Sequence, residues 1–211
     1  MNGPAPPRPD VLDPLDWQVF ARAYWGRRPV VLRPPAPGPV LFDRHEVFEA
    51  AVVAAQHRTS AARAELTVGA RLLIDPGDLL PQQEDSTFTC YDRRLVRQLD
   101  GQPFALTVRT LHAAHPALWA RERAFLAGLW DAVGPPPDGA RTTLWHGSHG
   151  PGGPGPARDA GFVCVLSGRR RLRVTGPAGA AVAVTEPGDL LYLPPGHAWS
   201  APPAPRPVTT V

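Results

Sequence analysis

One stretch of the sequence, Glu186 to Trp199, constrains the fold more than any other. Turn residues, Gly188-Asp189 on one side and Pro194-Pro195-Gly196 on the other, enclose the apolar run Leu190 to Leu193. Proline presets the backbone angles of a tight turn, and glycine adopts the positive φ that other residues resist. A short strand followed by a rigid corner is typical of a small β-barrel, which directs the side chains after the corner towards its mouth.

The same pattern extends upstream of this stretch. Short strand-like runs, separated by Gly/Pro turns, occupy residues 142–149, 162–166, 170–175, 181–185 and 190–193. Val208 to Val211 leaves room for one closing strand. Strands at a spacing of about 8–12 residues predict a small barrel or sandwich, so we expect a β-barrel core over residues 141–211.

The first two thirds of the sequence carry helical signals instead. Apolar periodicity predicts helices near residues 14–25, 44–57, 93–99 and 116–133, with strands at 28–33, 64–74 and 104–110. Asp13 and Pro14 suit the start of the first helix, and His115 suits the cap of the last. The prediction is a mainly β protein with N-terminal helices (α+β): a loose proline-rich tail (1–12), a helical region with some strands packing on the barrel (13–140) and the barrel core.

Composition excludes several classes of protein. All 22 basic residues are arginine, and the net charge is only +3. This usage indicates the codon bias of a GC-rich genome rather than a nucleic-acid surface, and a nucleic-acid partner is disfavoured. No apolar run reaches 18 residues and the N-terminus is polar, so we expect no membrane span, no secretory signal and a cytoplasmic location. Cys90 and Cys164 match no zinc or redox spacing.

The run Gly188-Asp-Leu-Leu-Tyr-Leu-Pro-Pro-Gly196 resembles the second motif of the cupins, in the form found in JmjC-type Fe(II)/2-oxoglutarate oxygenases. The segment Tyr24 to Arg33 is similar to the N-terminal segment of bacterial JmjC-like proteins. The resemblance covers roughly residues 15–33 and 103–200. It implies a double-stranded β-helix, or jelly-roll barrel, with Fe(II) and 2-oxoglutarate as cofactors if the protein is active.

The metal motifs of that family are degraded here. The family has an iron-binding histidine three residues after the motif glycine, and this sequence has Trp199 there. The family's other two ligands form a His-x-Asp pair before an earlier strand, which in this sequence is the one that begins at Phe162. Counting back without gaps places that pair at Gly155 and Ala157, and a loop two residues shorter places it at Ala157 and Asp159. Neither alignment restores the pair, so the sequence disfavours a metal site.

The position that binds the far carboxylate of 2-oxoglutarate is better preserved, because the resemblance places Arg170 where the family has a lysine. Strand alternation independently groups Arg170 with Leu172 and Val174 on the inward face. A guanidinium inside a barrel needs an anionic partner and suits a carboxylate. Arg170 is therefore the predicted ligand-binding residue, although pairing with a local Asp or Glu at the rim remains an alternative.

Four other residues could rebuild a metal site, namely His146, His149, Asp159 and His197. Two histidines and one carboxylate from this set would suit non-haem iron. Trp199 and Tyr192 are predicted to line the pocket.

These observations leave three functions open. The first is a protein related to the hydroxylases that has lost iron and binds a peptide, a protein or a small carboxylic acid. The second is an active 2-oxoglutarate-dependent hydroxylase of peptides or proteins, with a rebuilt His/Asp iron site. The third is a structural dimerisation module, with a homodimer as its partner. The degraded motifs favour the first.

Overall fold

Helices and strands alternate along the first two thirds of the chain, and strands follow. The structure is a computed structural model that describes residues 7–35, 41–56, 61–148, 157–202 and 207–211. Its α-helices are α1 (Trp17–Ala23), α2 (Arg44–Gln56), α3 (Phe88–Gln98) and α4 (Pro116–Val133). Its strands are β1 (Asp10–Leu12), β2 (Val30–Leu32), β3 (Arg63–Val68), β4 (Arg71–Leu72), β5 (Phe104–Arg109), β6 (Thr143–Gly147), β7 (Gly161–Cys164), β8 (Arg170–Gly176), β9 (Gly179–Thr185), β10 (Leu190–Leu193), β11 (Ala198–Ser200) and β12 (Val208–Thr210).

The strands form three hydrogen-bonded sheets. Their orders are β1-β2-β10-β7, β12-β6-β5-β3-β4 and β11-β8-β9, and every pair except β1-β2 is antiparallel. A bridge between Val165 and Thr210, with hydrogen bonds between Cys164 and Val211, joins the first two sheets edge to edge. Among the described residues, the hydrogen-bonded strand pairs do not close into a barrel. The architecture is therefore a mixture of helices and antiparallel sheets.

Two apolar clusters lie on opposite faces of the β1-β2-β10-β7 sheet. In the central strand β10, Leu190 and Tyr192 belong to the larger cluster with the helices, whereas Leu191 and Leu193 belong to the smaller one. All four residues are buried. Because side chains alternate along a strand, a run that is apolar at every position has to be covered on both faces. The smaller cluster contains Leu172 and Val174 of β8, which shows that the three-stranded sheet packs over this inner face.

The helices begin where local capping groups allow. The Asp16 carboxylate accepts the N–H groups of Gln18 and Val19, so α1 starts after Asp16 and not at the predicted Asp13 and Pro14. The Asp13 carboxylate instead accepts from the Arg33 guanidinium, and the Leu15 N–H donates to the Arg33 C=O, so this segment is held beside β2. For α4 the predicted cap is present, because His115 Nδ1 accepts the Leu118 N–H.

Two further segments differ from the sequence expectation. The expected strand over 64–74 is a hairpin of β3 and β4, because Gly69 takes a φ of +58° and reverses the chain. The expected helix at 93–99 is the longer α3, which Thr87 caps by accepting the Cys90 N–H. Residues 10–12, assigned to a loose tail, pair with β2 as β1. In the described ranges, no helix is long and apolar enough to cross a membrane.

Candidate functional site

Arg170 begins β8 and faces the space between the sheets. Along this strand Arg170, Leu172 and Val174 are buried while Arg171 and Arg173 are exposed, as strand alternation predicts. Arg170 is only 8% exposed. Burial lowers the pKa of its guanidinium, because the charged form loses hydration. Strand β8 thus buries a cation on its inner face.

The buried guanidinium lacks a counter-charge. Its Nε has no hydrogen-bond partner, and its Nη1 reaches only the Pro202 C=O, at 3.5 Å. All 19 acidic residues of the sequence fall within the described ranges, and no ion pair seen there includes Arg170. An unpaired buried charge is destabilising, so the burial of this guanidinium carries a cost that no described side chain offsets.

Thr185 of β9 lies directly opposite Arg170, and it is also buried with an unsatisfied polar atom. The two residues are register partners across the β8–β9 ladder, so their side chains lie on the same face. Thr185 is completely buried, and its Oγ1 also lacks a hydrogen-bond partner. Sequence reasoning missed Thr185, although its parity with the buried Ala183 was a usable signal. Two adjacent strands therefore present two unsatisfied polar groups at one place.

Beyond this pair the inner face is apolar. Leu172 and Ala183 form the next cross-strand pair on it. Trp199 is 5% exposed and belongs to the same cluster, with its ring edge-to-face against Trp145 at a centroid distance of 5.5 Å. Trp199 therefore lies in the core between the sheets.

The turn Pro194-Pro195-Gly196 and Ala157 meet at the end of β8 that is farther from Arg170. The Ala157 N–H donates to the His197 C=O, and the Gly196 N–H donates to the Ala157 C=O. The His197 ring lies against Gly176, where a Cβ would come within 2.3 Å of it, and its Nδ1 is 3.3 Å from the Pro195 C=O. His197 is thus seated on the turn at the end of the three-stranded sheet.

His146 lies on the helical side of β6 rather than between the sheets. It is 1% exposed; its Nε2 is 2.6 Å from Asp92 Oδ1, and its Nδ1 is 3.0 Å from Thr209 Oγ1. The ring also stacks on Phe88 at 4.3 Å. Both ring nitrogens are therefore engaged in bonds that link α3, β6 and the C-terminal strand.

The remaining predicted site residues are dispersed. Asp159 is exposed, with its carboxylate 3.7 Å from the Arg141 guanidinium. Tyr192 is buried beneath α1, where its hydroxyl accepts the Gly26 N–H at 2.8 Å, so it is not beside Trp199. His149 lies outside the described residues. The structure therefore brings together Arg170, Thr185 and the apolar cluster around Trp199, with His197 at the far end of β8.

Comparison with known proteins finds similarity at the level of structure only. No model of a known protein family matches the sequence, and no curated protein matches it. Among solved structures, a ribosomal oxygenase from Escherichia coli, YcfD, is similar to this chain with a TM-score of 0.52 and 22% identity over 93% of the chain. The same protein in complex with cobalt and succinic acid gives a TM-score of 0.53 and 21% identity, also over 93%.

This chain has the JmjC-like cupin oxygenase fold. It spans about half the length of the solved YcfD structures, covering 50% of one and 51% of another. At such low identity the similarity concerns the fold, and the site has to be judged from the residues present.

In this JmjC-like fold the described residues do not fit an Fe(II) site. Across those ranges there is no group of three or more His, Cys, Asp or Glu side chains that could hold a metal ion. Trp199 offers only an indole N–H donor, and Ala157 has no ligating side chain. Arg170 and Thr185, in contrast, have free hydrogen-bonding capacity that suits a carboxylate.

A second buried polar network connects α4 to the start of β6. Glu122 is 7% exposed, and the Thr142 hydroxyl lies 2.6 Å from its carboxylate. Burial raises the pKa of Glu122, and the bond from Thr142 opposes this shift. Burial also lowers the pKa of His112, whose Nδ1 accepts the Thr142 N–H at 3.3 Å. The sequence pattern did not indicate this network.

Replacing Glu122 with glutamine is expected to make the protein more stable at neutral pH. A group whose folded pKa is raised stabilises the fold below its unfolded pKa, near 4.5, and that stabilisation is lost as the pH rises through the folded pKa. Glutamine keeps the shape without the charge, so we expect a gain of about 1 kcal/mol at pH 7–8 that shrinks as the pH falls through the raised pKa of Glu122 and is absent below about pH 4.5. Urea unfolding across this range measures it, with the exposed Glu84→Gln as control. A difference independent of pH would contradict the assignment.

Proposed function

We propose that this protein is a non-catalytic relative of the 2-oxoglutarate oxygenases that binds a carboxylic acid without iron. The observation that carries the proposal is Arg170, a buried guanidinium with a free Nε and no acidic partner in the described ranges. A folded protein retains such a cation at a cost in stability, and a ligand that supplies the missing charge offsets that cost. The ligand class is a small carboxylic acid, or a carboxylate on a peptide or protein.

The fold supports the same interpretation. We infer that the three-stranded sheet and the joined longer sheets are the two faces of a jelly roll, with Arg170 and Trp199 between them. The helical region and the barrel core are expected to act as one unit, because β2 pairs with β10 and β5 with β6. The similar protein YcfD has been solved with cobalt and 2-oxoglutarate, which supports a carboxylate as the ligand of this interior.

The rival proposal is an active hydroxylase with a rebuilt iron site. It would have to draw on His197, on Asp159 and on His149, which lies outside the described residues. Carboxylate and imidazole ligands have to converge at about 2 Å from a metal. Asp159 is directed to Arg141 and the His197 ring rests on its own turn, so these two contacts favour the iron-free proposal.

Anaerobic titration of Fe(II) and 2-oxoglutarate into protein purified without a tag separates the two proposals. We expect no stoichiometric Fe(II) binding and little or no turnover of 2-oxoglutarate, together with carboxylate binding that survives chelator treatment and is lost in Arg170→Ala. The matched control for the histidine is His45→Ala, since His45 is exposed on α2. Tight Fe(II) binding that disappears in His197→Ala but not in His45→Ala would overturn the iron-free proposal.

A further inference from the structure

The outer edge of the five-stranded sheet carries an exposed apolar surface. Leu72 of β4 is 60% exposed, and Ile74, two residues further on, is fully exposed. No other large apolar side chain in the described ranges is as exposed as these two. Leu73, which lies between them in the sequence, packs against the larger apolar cluster. Exposed apolar side chains at the edge of a sheet favour association with another strand.

The backbone of this edge also has capacity for pairing. β4 is the last strand of its sheet, and among the described residues no strand pairs with its outer side. The Leu73 N–H donates to the Leu66 C=O of β3 at 2.9 Å. Because backbone groups alternate in direction along a strand, those of Leu72 and Ile74 are directed away from β3. The chain bends at Ile74 and a proline follows Asp75, so the segment available for pairing is short and ends there.

The segment Arg71 to Asp75, which we call the β4 edge, is complementary to a second copy of itself. Its sequence is Arg-Leu-Leu-Ile-Asp. When two such edges run antiparallel with Leu73 at a two-fold axis, Leu72 lies opposite the partner's Ile74, and their outward backbone groups make the cross-strand hydrogen bonds. The same register places Arg71 opposite the partner's Asp75, where opposite charges attract. The two-fold axis makes each of these pairs occur twice.

Charge selects both the occupant and the register. A register with Leu72 at the axis would place Arg71 opposite an apolar residue and would recruit Ala70, which belongs to the hairpin turn. Parallel pairing in register would place like charges side by side. A second copy in the antiparallel register supplies an anion for Arg71, a cation for Asp75 and an apolar partner for each exposed side chain. It therefore meets all three requirements at once.

From this complementarity we propose that two copies of the chain associate by antiparallel pairing of their β4 edges, which joins two five-stranded sheets across a two-fold axis. The inference is independent of the proposed function, because it uses no residue of the Arg170 site. Each paired segment has only five residues, so the contact is at the small end of protein interfaces. We therefore expect a weak dimer, with a dissociation constant on the order of 10–100 µM.

Sedimentation velocity of the chain from about 1 µM to about 0.5 mM measures the association. The unmodified protein should show a concentration-dependent equilibrium between monomer and dimer. Ile74→Ser removes an apolar side chain that the dimer buries at two places, so it should weaken association by at least about tenfold. Val96→Ser is the matched control, because Val96 is 48% exposed on α3, outside the β4 edge, and should leave association unchanged.

Exchange of charges tests the register. Arg71→Asp and Asp75→Arg each place like charges opposite one another in the dimer, so each variant alone should associate at least about fivefold more weakly. An equimolar mixture of the two variants restores opposite charges at both ends, and it should form a heterodimer about as tightly as the unmodified protein. Far-UV circular dichroism verifies that each variant is folded.

Three outcomes would overturn the proposal. The first is a chain that stays monomeric at about 0.5 mM, which would leave the β4 edge to a strand of another protein. The second is a dimer that Ile74→Ser does not weaken, since association would then use another surface. The third is a mixture of the two charge variants that associates no better than its components, since the antiparallel register centred on Leu73 predicts its recovery.

Discussion

Replacing Arg170 with methionine is expected to stabilise the protein while abolishing carboxylate binding. The guanidinium is buried, its Nε is unsatisfied, and no carboxylate pairs with it in the described ranges. Substituting buried charged groups with apolar residues of similar volume has been neutral or stabilising by about 1–4 kcal/mol. We expect Arg170→Met to raise the free energy of unfolding by about 1–3 kcal/mol in ligand-free protein. Urea denaturation with and without 2-oxoglutarate measures both effects.

Arg171→Met is the appropriate comparison, because Arg171 is the next residue on the same strand and is exposed. Its free energy of unfolding should change by less than about 0.5 kcal/mol. Ligand should raise the stability of the unmodified protein and of Arg171→Met, but not that of Arg170→Met, since only a folded state that binds ligand gains from it. A marked loss of stability in Arg170→Met would mean that the guanidinium is already satisfied without ligand, which would remove the main support for the proposed function.

Replacing Trp199 with alanine is expected to give a large loss of stability. The side chain is 5% exposed, packs against Trp145 and belongs to the apolar cluster between the sheets. Truncating a buried tryptophan removes apolar contacts and leaves a cavity, which costs about 3–5 kcal/mol. Chemical denaturation followed by far-UV circular dichroism measures the loss.

The control is Trp119→Ala on α4. Trp119 is only partly buried, and its ring stacks on His112 and lies beneath the Arg123 guanidinium. Its truncation should destabilise the protein by clearly less than that of Trp199. Equal effects of the two substitutions, or a loss below about 1 kcal/mol for Trp199→Ala, would show that Trp199 is not a core residue and that the position remains open for a ligand.

Local signals account for the elements that were predicted well. The strand Leu190–Leu193 has the predicted bounds because turn residues flank it on both sides. The helix α4 runs from Pro116 to Val133 as predicted, since a cap, a favourable first residue and an apolar stripe all agree. At the start of α1 such signals compete, because Asp13 and Asp16 are both suitable caps. A contact with Arg33, remote in sequence, decides between them.

The sequence also predicted which face of a strand a side chain occupies, but it did not predict which side chains it contacts. Alternation alone predicted that Arg170 faces inward with Leu172 and Val174, because successive residues of a strand point to opposite faces. It could not indicate that Thr185 would be opposite, since that depends on the register of the β8–β9 pair. The site therefore combines one residue that periodicity identified with one that only the pairing identified.

The sequence by itself determined where the turns and strands of the C-terminal half lie and which face Arg170 takes, because turn chemistry and strand periodicity act over a few residues. Tertiary structure decided which side chains meet. His146 bonds to Asp92 and Thr209, which are 54 and 63 positions away along the chain, and Tyr192 bonds to Gly26 across 166 positions. Such contacts arise from sheet order and helix packing, which no local pattern encodes. They direct His146 and Tyr192 into the helical core and leave Arg170 with Thr185 between the sheets.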